Sequence, residues 1–220
     1  MSSSVGPTSR QFAAFETNLQ YARDLVAAGV NLAGLRVGAF DVGDLYRSAW
    51  TQTVSALDHW LHLEIYAAVY VLADRTGAKP PVLSKVELPL SVIDKIQLGG
   101  LHYRDALLDR VQQLLKYQSL QNPKRIAETL KYVYAGGDLW GNVAKEFRAQ
   151  GHNGGPWHSQ SVAETLGKII DRRNHISHSA DLDNGVRRPI DHASTLNAIE
   201  SVNWIARAIA SIIESEIKQS

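Results

Sequence analysis

Apolar positions recur at intervals of three and four along most of this chain, while the alternation of half-buried strands is scarce. Phe12, Phe15, Leu19, Ala22, Leu25 and Val26 form one stripe, which predicts a helix from about residue 10 to 28, broken by Gly29 and Gly34. A longer stripe holds Leu45, Trp50, Val54, Leu57, Leu61, Ile65, Ala68 and Leu72. It predicts a helix capped by Asp41 or Asp44 and running to about Arg75, long enough to be the spine of the fold. Gly77 to Pro81 stops it, and Pro89 fits the first turn of a short helix near 90 to 97. Further helices are expected from His102 to Leu120 and from Lys124 to Tyr134, ending at Gly136-Gly137. Gly151 to Trp157, with three glycines and a proline, is the strongest loop signal.

Ser159 or Ser161, with Glu164 three beyond the latter, makes a capping box that opens a helix ending near Ala180. Asp183-Asn184-Gly185 reads as a turn. A last helix, about 190 to 217, turns Leu196, Ile199, Val202, Ile205, Ile209, Ile212 and Ile213 inward. The expected fold is an all-α bundle whose core joins the second helix, the helix opened at Ser159 and the terminal helix. Residues 79 to 157 pack beside it within a single domain of 1 to 220, because Tyr103, Leu107, Val111, Leu114 and Leu115 make a face that needs covering.

Composition narrows the function classes. At 220 residues and 45% hydrophobic content the chain can bury a full core. It has no cysteine, which removes disulfides, thiolate nucleophiles and cysteine-ligated zinc and suits a reducing, cytoplasmic setting. Met1 to Arg10 is small and polar, a loose tail rather than a signal peptide, and no stretch reads as a membrane span. With 23 basic and 22 acidic residues the net charge of +1 announces no nucleic-acid binder, so any basic surface is local. From Lys168 to Arg188 five cations face three carboxylates, a mild local excess.

That stretch holds the candidate chemistry, Asp171-Arg172-Arg173-Asn174-His175-Ile176-Ser177-His178. A guanidinium binds phosphate bidentately without losing its proton, and an imidazole titrates near neutrality. Together they supply charge stabilisation and proton transfer without a metal. Arg173-Asn174 followed by His178 resembles the R-N-x-x-x-H signature of HEPN domains, an α-helical family with many metal-independent endoribonucleases. Asp44 to Trp50, continuing through Val54 to Trp60, resembles the early long helix of the RiboL-PSP branch of that family. The two matches span roughly residues 40 to 185.

The resemblance implies an HEPN-like helical bundle in which residues 79 to 157 are a family-variable helical insertion. It also implies a homodimer whose two signature helices form one composite cleft, an RNA substrate, no cofactor, and a toxin or defence effector held in check by an antitoxin or regulator in trans. Arg173, Asn174 and His178 become the candidate catalytic residues. His178 would take the proton from a ribose 2′-hydroxyl or return one to the leaving oxygen, Arg173 would hold the phosphate oxygens, and Asn174 would orient the phosphate or brace the arginine. Cleavage would leave 2′,3′-cyclic phosphate and 5′-hydroxyl ends. Asp58 is expected to buttress Arg173 or a signature histidine, with His59, His175 and Arg172 in support.

Other readings of the same residues stay open. Arg173 and His178 lie about 140° apart on an ideal helix, so they also read as a surface cation and a histidine favoured by the helix C-terminus. A binding-only HEPN-like module for RNA, nucleotide or protein needs the histidine less. His175 and His178, three apart, could instead hold a metal with a third ligand from His152, His158 or Asp58, making a metal-dependent hydrolase. Asp58 equally reads as an ordinary helix-surface acid, Arg47 as a solvated cation, and Trp50, Trp60 and Trp204 as core. Trp157 is either a base-stacking residue or a loop anchor.

Overall fold

A computed structural model describes residues 9–35, 41–75, 79–149 and 157–218. Among the described residues eight α-helices run in order: α1 (Arg10–Gly34), α2 (Gly43–Ala73), α3 (Leu90–Gln97), α4 (Tyr103–Leu115), α5 (Pro123–Leu130), α6 (Leu139–Ala149), α7 (Ser159–Ser179) and α8 (His192–Lys218). A two-residue antiparallel ribbon, β1 (Leu182–Asp183) with β2 (Val186–Arg187), is the sole sheet among the described residues. The fold is an all-α bundle.

The spine is α2, which packs against α1, α4, α7 and α8. Val54, Leu57, Leu61, Ile65, Ala68 and Leu72 are all buried along it, as their spacing predicts. Trp60 meets the rings of Phe12 and Phe15 at centroid distances of 5.5 and 5.3 Å, which fixes α1 on α2. The predicted insertion is continuous with this core: Leu107, Val111, Leu115, Ile126, Leu130, Val143 and Phe147 join the same buried cluster as the α8 residues. No described helix is long and apolar enough to cross a membrane.

Several boundaries differ from the sequence reading. Gly29 does not break α1, because it is buried where α1 crosses α2: a Cβ there would stand 2.6 Å from Cε1 of Tyr46. The residue gives close approach, and the helix continues to Gly34. α2 ends at Ala73 and α4 at Leu115, while Tyr103 and Leu114 face solvent rather than the core. α6 follows Gly136-Gly137 unforeseen, burying Leu139, Trp140, Val143, Ala144 and Phe147. The cap of α7 is His158, whose Nδ1 accepts from the Ser161 backbone N–H while the Ser161 hydroxyl answers its own N–H. Glu164 instead accepts from Gln160 at 2.7 Å.

Candidate functional site

α7 has two halves. Val162, Leu166, Ile169 and Ile170 bury its first turns against the bundle. From Asp171 to Ala180 no residue is buried, so the turns carrying Arg173, Asn174, His175 and His178 stand clear of the core. What holds them in place is the segment that follows.

Ala180 and Asp181 adopt left-handed φ values of 48° and 61°, which reverse the chain at the end of α7. The Asp181 N–H donates to the His175 carbonyl at 3.1 Å, and its carboxylate turns inward to complete burial. Asp181 Oδ2 there accepts from Arg47 Nε at 3.0 Å and Arg172 Nη2 at 2.7 Å. Arg47 also donates from Nη2 to the Arg188 carbonyl at 2.9 Å, and Arg172 Nη2 to that of Pro189 at 3.1 Å. On the outer side Arg187 pairs with Asp44 at 2.5 Å, and Asp41 receives the Gly43 N–H at 2.9 Å. That N–H, with Arg47 and Arg187 beside it, holds the Asp41 carboxyl below its ordinary value. Burial pushes Arg172 down and Asp181 partly restores it. A buried carboxylate shared by two guanidiniums thus clamps α2, the end of α7 and the β1–β2 ribbon together. Arg47, read from sequence as a solvated cation, is buried; Arg172, expected beside the catalytic residues, is a clamp residue.

The signature itself is free of that clamp. Arg173 donates from Nη1 to Asn174 Oδ1 at 3.2 Å, and its Nε is shielded from solvent with no partner. His175 and His178 are exposed, and neither ring has a hydrogen-bond or ion-pair partner among the described residues. Arg173 and Asn174 are brought together; no bond links either to His178.

Asn174 opens onto a polar groove of about 490 Å³ formed with Gln121, Asn122, Lys124, Arg125 and Glu128. Lys124 and Arg125 are exposed and unpaired among the described residues. Asn122 caps α5, accepting from the Lys124 N–H at 2.9 Å. The Asp58 expectation is corrected here. Its carboxylate accepts from the Leu120 N–H at 2.6 Å and from Gln121 Nε2 at 3.1 Å, so it fixes the connector that walls this groove rather than buttressing Arg173. His62 assists through contact of Nε2 with the Gln118 carbonyl at 3.0 Å. His59 is exposed and has no such partner.

The third ligands considered for a metal pair are engaged elsewhere in two cases, Asp58 at this connector and His158 at the α7 cap; His152 lies outside the described residues. No group of three metal-ligating side chains converges among the described residues. Trp60 is core, whereas Trp50 and Trp204 are only partly covered, and Trp157 packs edge-on to Phe147 at 5.1 Å.

Comparison of the chain with protein-family models, with curated proteins and with solved structures finds no match.

Proposed function

We propose that this protein is a metal-independent endoribonuclease of the HEPN kind, acting as a homodimer. The observation that carries the reading is the unburied, unclamped state of Arg173, Asn174 and His178 on the last turns of α7, beside a groove bearing Lys124 and Arg125. Groups held by a rigid mount yet not locked into its ion pairs are what phosphodiester chemistry needs, since they must turn to substrate when it arrives.

Asn174 Oδ1 orients the Arg173 guanidinium through Nη1, and the terminal N–H groups not engaged there take a phosphate's non-bridging oxygens, while Nε stays shielded from solvent. His178 takes the 2′-hydroxyl proton as O2′ attacks phosphorus, and the imidazolium of a second copy protonates the departing 5′-oxygen. The P–O2′ bond forms as the P–O5′ bond breaks, leaving a cyclic phosphate. Two copies are required because within one chain Arg173 and His178 project about 140° apart, so one residue of each signature can face the other across a twofold axis. A toxin or defence role, with a regulator in trans, belongs to the same proposal. The lack of any bond between Arg173 and His178 also favours a second reading, a binding-only module that grips RNA through Arg173, Lys124 and Arg125.

Cleavage of a labelled RNA and its 2′-deoxy counterpart in excess chelator, by wild type and His178→Ala, separates the two. RNA-specific, His178-dependent cutting to a cyclic phosphate supports the nuclease. Binding without cutting by both proteins establishes the module.

A further inference from the structure

On the side of α7 facing away from Asn174 lies a second cavity that the nuclease reading does not use. Thr165, Lys168, Ile169 and Arg172, three and four apart, form its floor, with Trp50 beside them. Its facing wall is α8, through Ser194, Asn197 and Ser201, and its volume is about 450 Å³. A narrower chamber of about 270 Å³ continues it: Thr165, Asn197 and Ser201 line both, and Phe147, Trp157 and Trp204 close the far end. Ser194 to Trp204 spans about 15 Å of helix, so the cleft is long and slender. Such dimensions are those of small-molecule sites.

Its chemistry is sorted along its length. Lys168 and Arg172 stand at one end. The carboxylate of the lining, Glu200, lies in the far chamber and is neutralised by Arg23 at 2.8 Å. Among the described residues neither the Lys168 ammonium nor the Asn197 amide has a hydrogen-bond or ion-pair partner. The Trp50 indole N–H donates to the Ile169 carbonyl at 2.9 Å, so that tryptophan offers the cleft ring surface only. An anion, a polar middle and a flat ring therefore find complementary groups in that order. A simple fatty anion would bury the unpartnered Asn197 amide against hydrocarbon, which is costly, whereas the Thr165 and Ser201 hydroxyls already donate to the Ser161 and Asn197 carbonyls.

We propose that the α7–α8 cleft binds a nucleoside phosphate, the phosphate at Lys168, the base edge at Asn197 and the base face against the tryptophans of the far chamber. This site is separate from the signature groove and does not rest on the nuclease reading. The same chemistry has two sources, a free nucleotide or one nucleotide of an RNA strand.

Trp50, Trp157 and Trp204 are three of the chain's five tryptophans, so intrinsic fluorescence reports occupancy directly. AMP and GMP titrated into the full-length protein should quench it saturably; adenosine should bind at least about tenfold more weakly, and inorganic phosphate should not quench. Lys168→Gln should weaken AMP about tenfold, leave adenosine unaltered and unfold at the wild-type temperature. Asn197→Ala should weaken both. Competition of a short RNA with AMP assigns the site to a strand nucleotide; its absence assigns it to a free nucleotide. The His178→Ala protein should bind AMP as wild type does, whether or not RNA is cut. No saturable quenching by either nucleotide, or unchanged AMP binding in Lys168→Gln, overturns the proposal.

Discussion

Arg172 and Arg173 are neighbours in sequence with opposite surroundings. One enters a buried cluster with Asp181, Arg47 and the Pro189 carbonyl; the other hydrogen-bonds, among the described residues, only its own neighbour Asn174, which lines a solvent groove. The contrast extends to the regions around them. The clamp is dense, and its inner carboxylate is fully buried between cations. The groove is open, with Lys124 and Arg125 unpaired among the described residues. A helix end that leaves the core cannot be stiffened by apolar packing, so charge pairing beyond the helix supplies the stiffness and leaves the candidate face outside the clamp. Stability belongs to one face of the last turns and the proposed chemistry to the other.

The comparison breaks most severely at Asp181. Asp181→Asn leaves Arg47 and Arg172 facing each other without their carboxylate and should cost about 3–5 kcal/mol in chemical denaturation; a loss below 1 kcal/mol would show that the clamp is not what holds this end. Arg173→Ala should do the reverse, lowering RNA cleavage about 10²–10³-fold with no change in unfolding midpoint. Equal loss of stability in both variants would erase the distinction between the two arginines. Lys124→Ala with Arg125→Ala should weaken RNA binding and make log K against log salt shallower by about 0.7 for each phosphate contact removed, read from filter-binding isotherms at several salt concentrations.

Two smaller effects sharpen the clamp side. Ala180 pays the left-handed penalty at φ 48°, so Ala180→Gly should stabilise by about 1 kcal/mol in thermal unfolding. A neutral effect would mean the turn relaxes at no cost. The Asp41 carboxyl is held below its ordinary value, so its contribution to stability is present above pH 3.8 and disappears as pH falls through the lowered value. Asp41→Asn should therefore be less stable than wild type near neutrality and converge with it in acid. A difference that is independent of pH would place Asp41 outside the clamp.

The bundle was legible because burial on long helices writes itself as period: α1, α2 and α8 each carry their stripe, and α7 was read from its opening cap. Helix ends were less so, since Gly29 is a packing residue whose reason lies in Tyr46, distant in sequence, and α6 is short and offers no glycine or proline inside its bounds except Gly141. The Arg173, Asn174 and His178 positions were readable as a motif, but their supports were not. Asp58 drew attention as an acid on an apolar helix, and its partners are the Leu120 backbone N–H and the Gln121 side chain of a connector more than sixty residues on in sequence, which no local pattern announces. Asp181 enters the sequence reading only as one of the three carboxylates between Lys168 and Arg188. The signal that could have singled it out is its place just past the predicted helix end, where a left-handed residue carries its side chain back beneath the last turn.

The β1–β2 ribbon gives this molecule a place to be rebuilt. Its base is tied down through the Arg188 and Pro189 carbonyls, while its tip, Asn184 and Gly185 at φ 49° and 80°, is exposed. Lengthening such a tip costs about 0.6 kcal/mol per doubling of loop length. A fluorophore-binding peptide or a second domain spliced between Asn184 and Gly185, a few residues from the turns that carry the signature, should therefore leave the clamp beneath them intact.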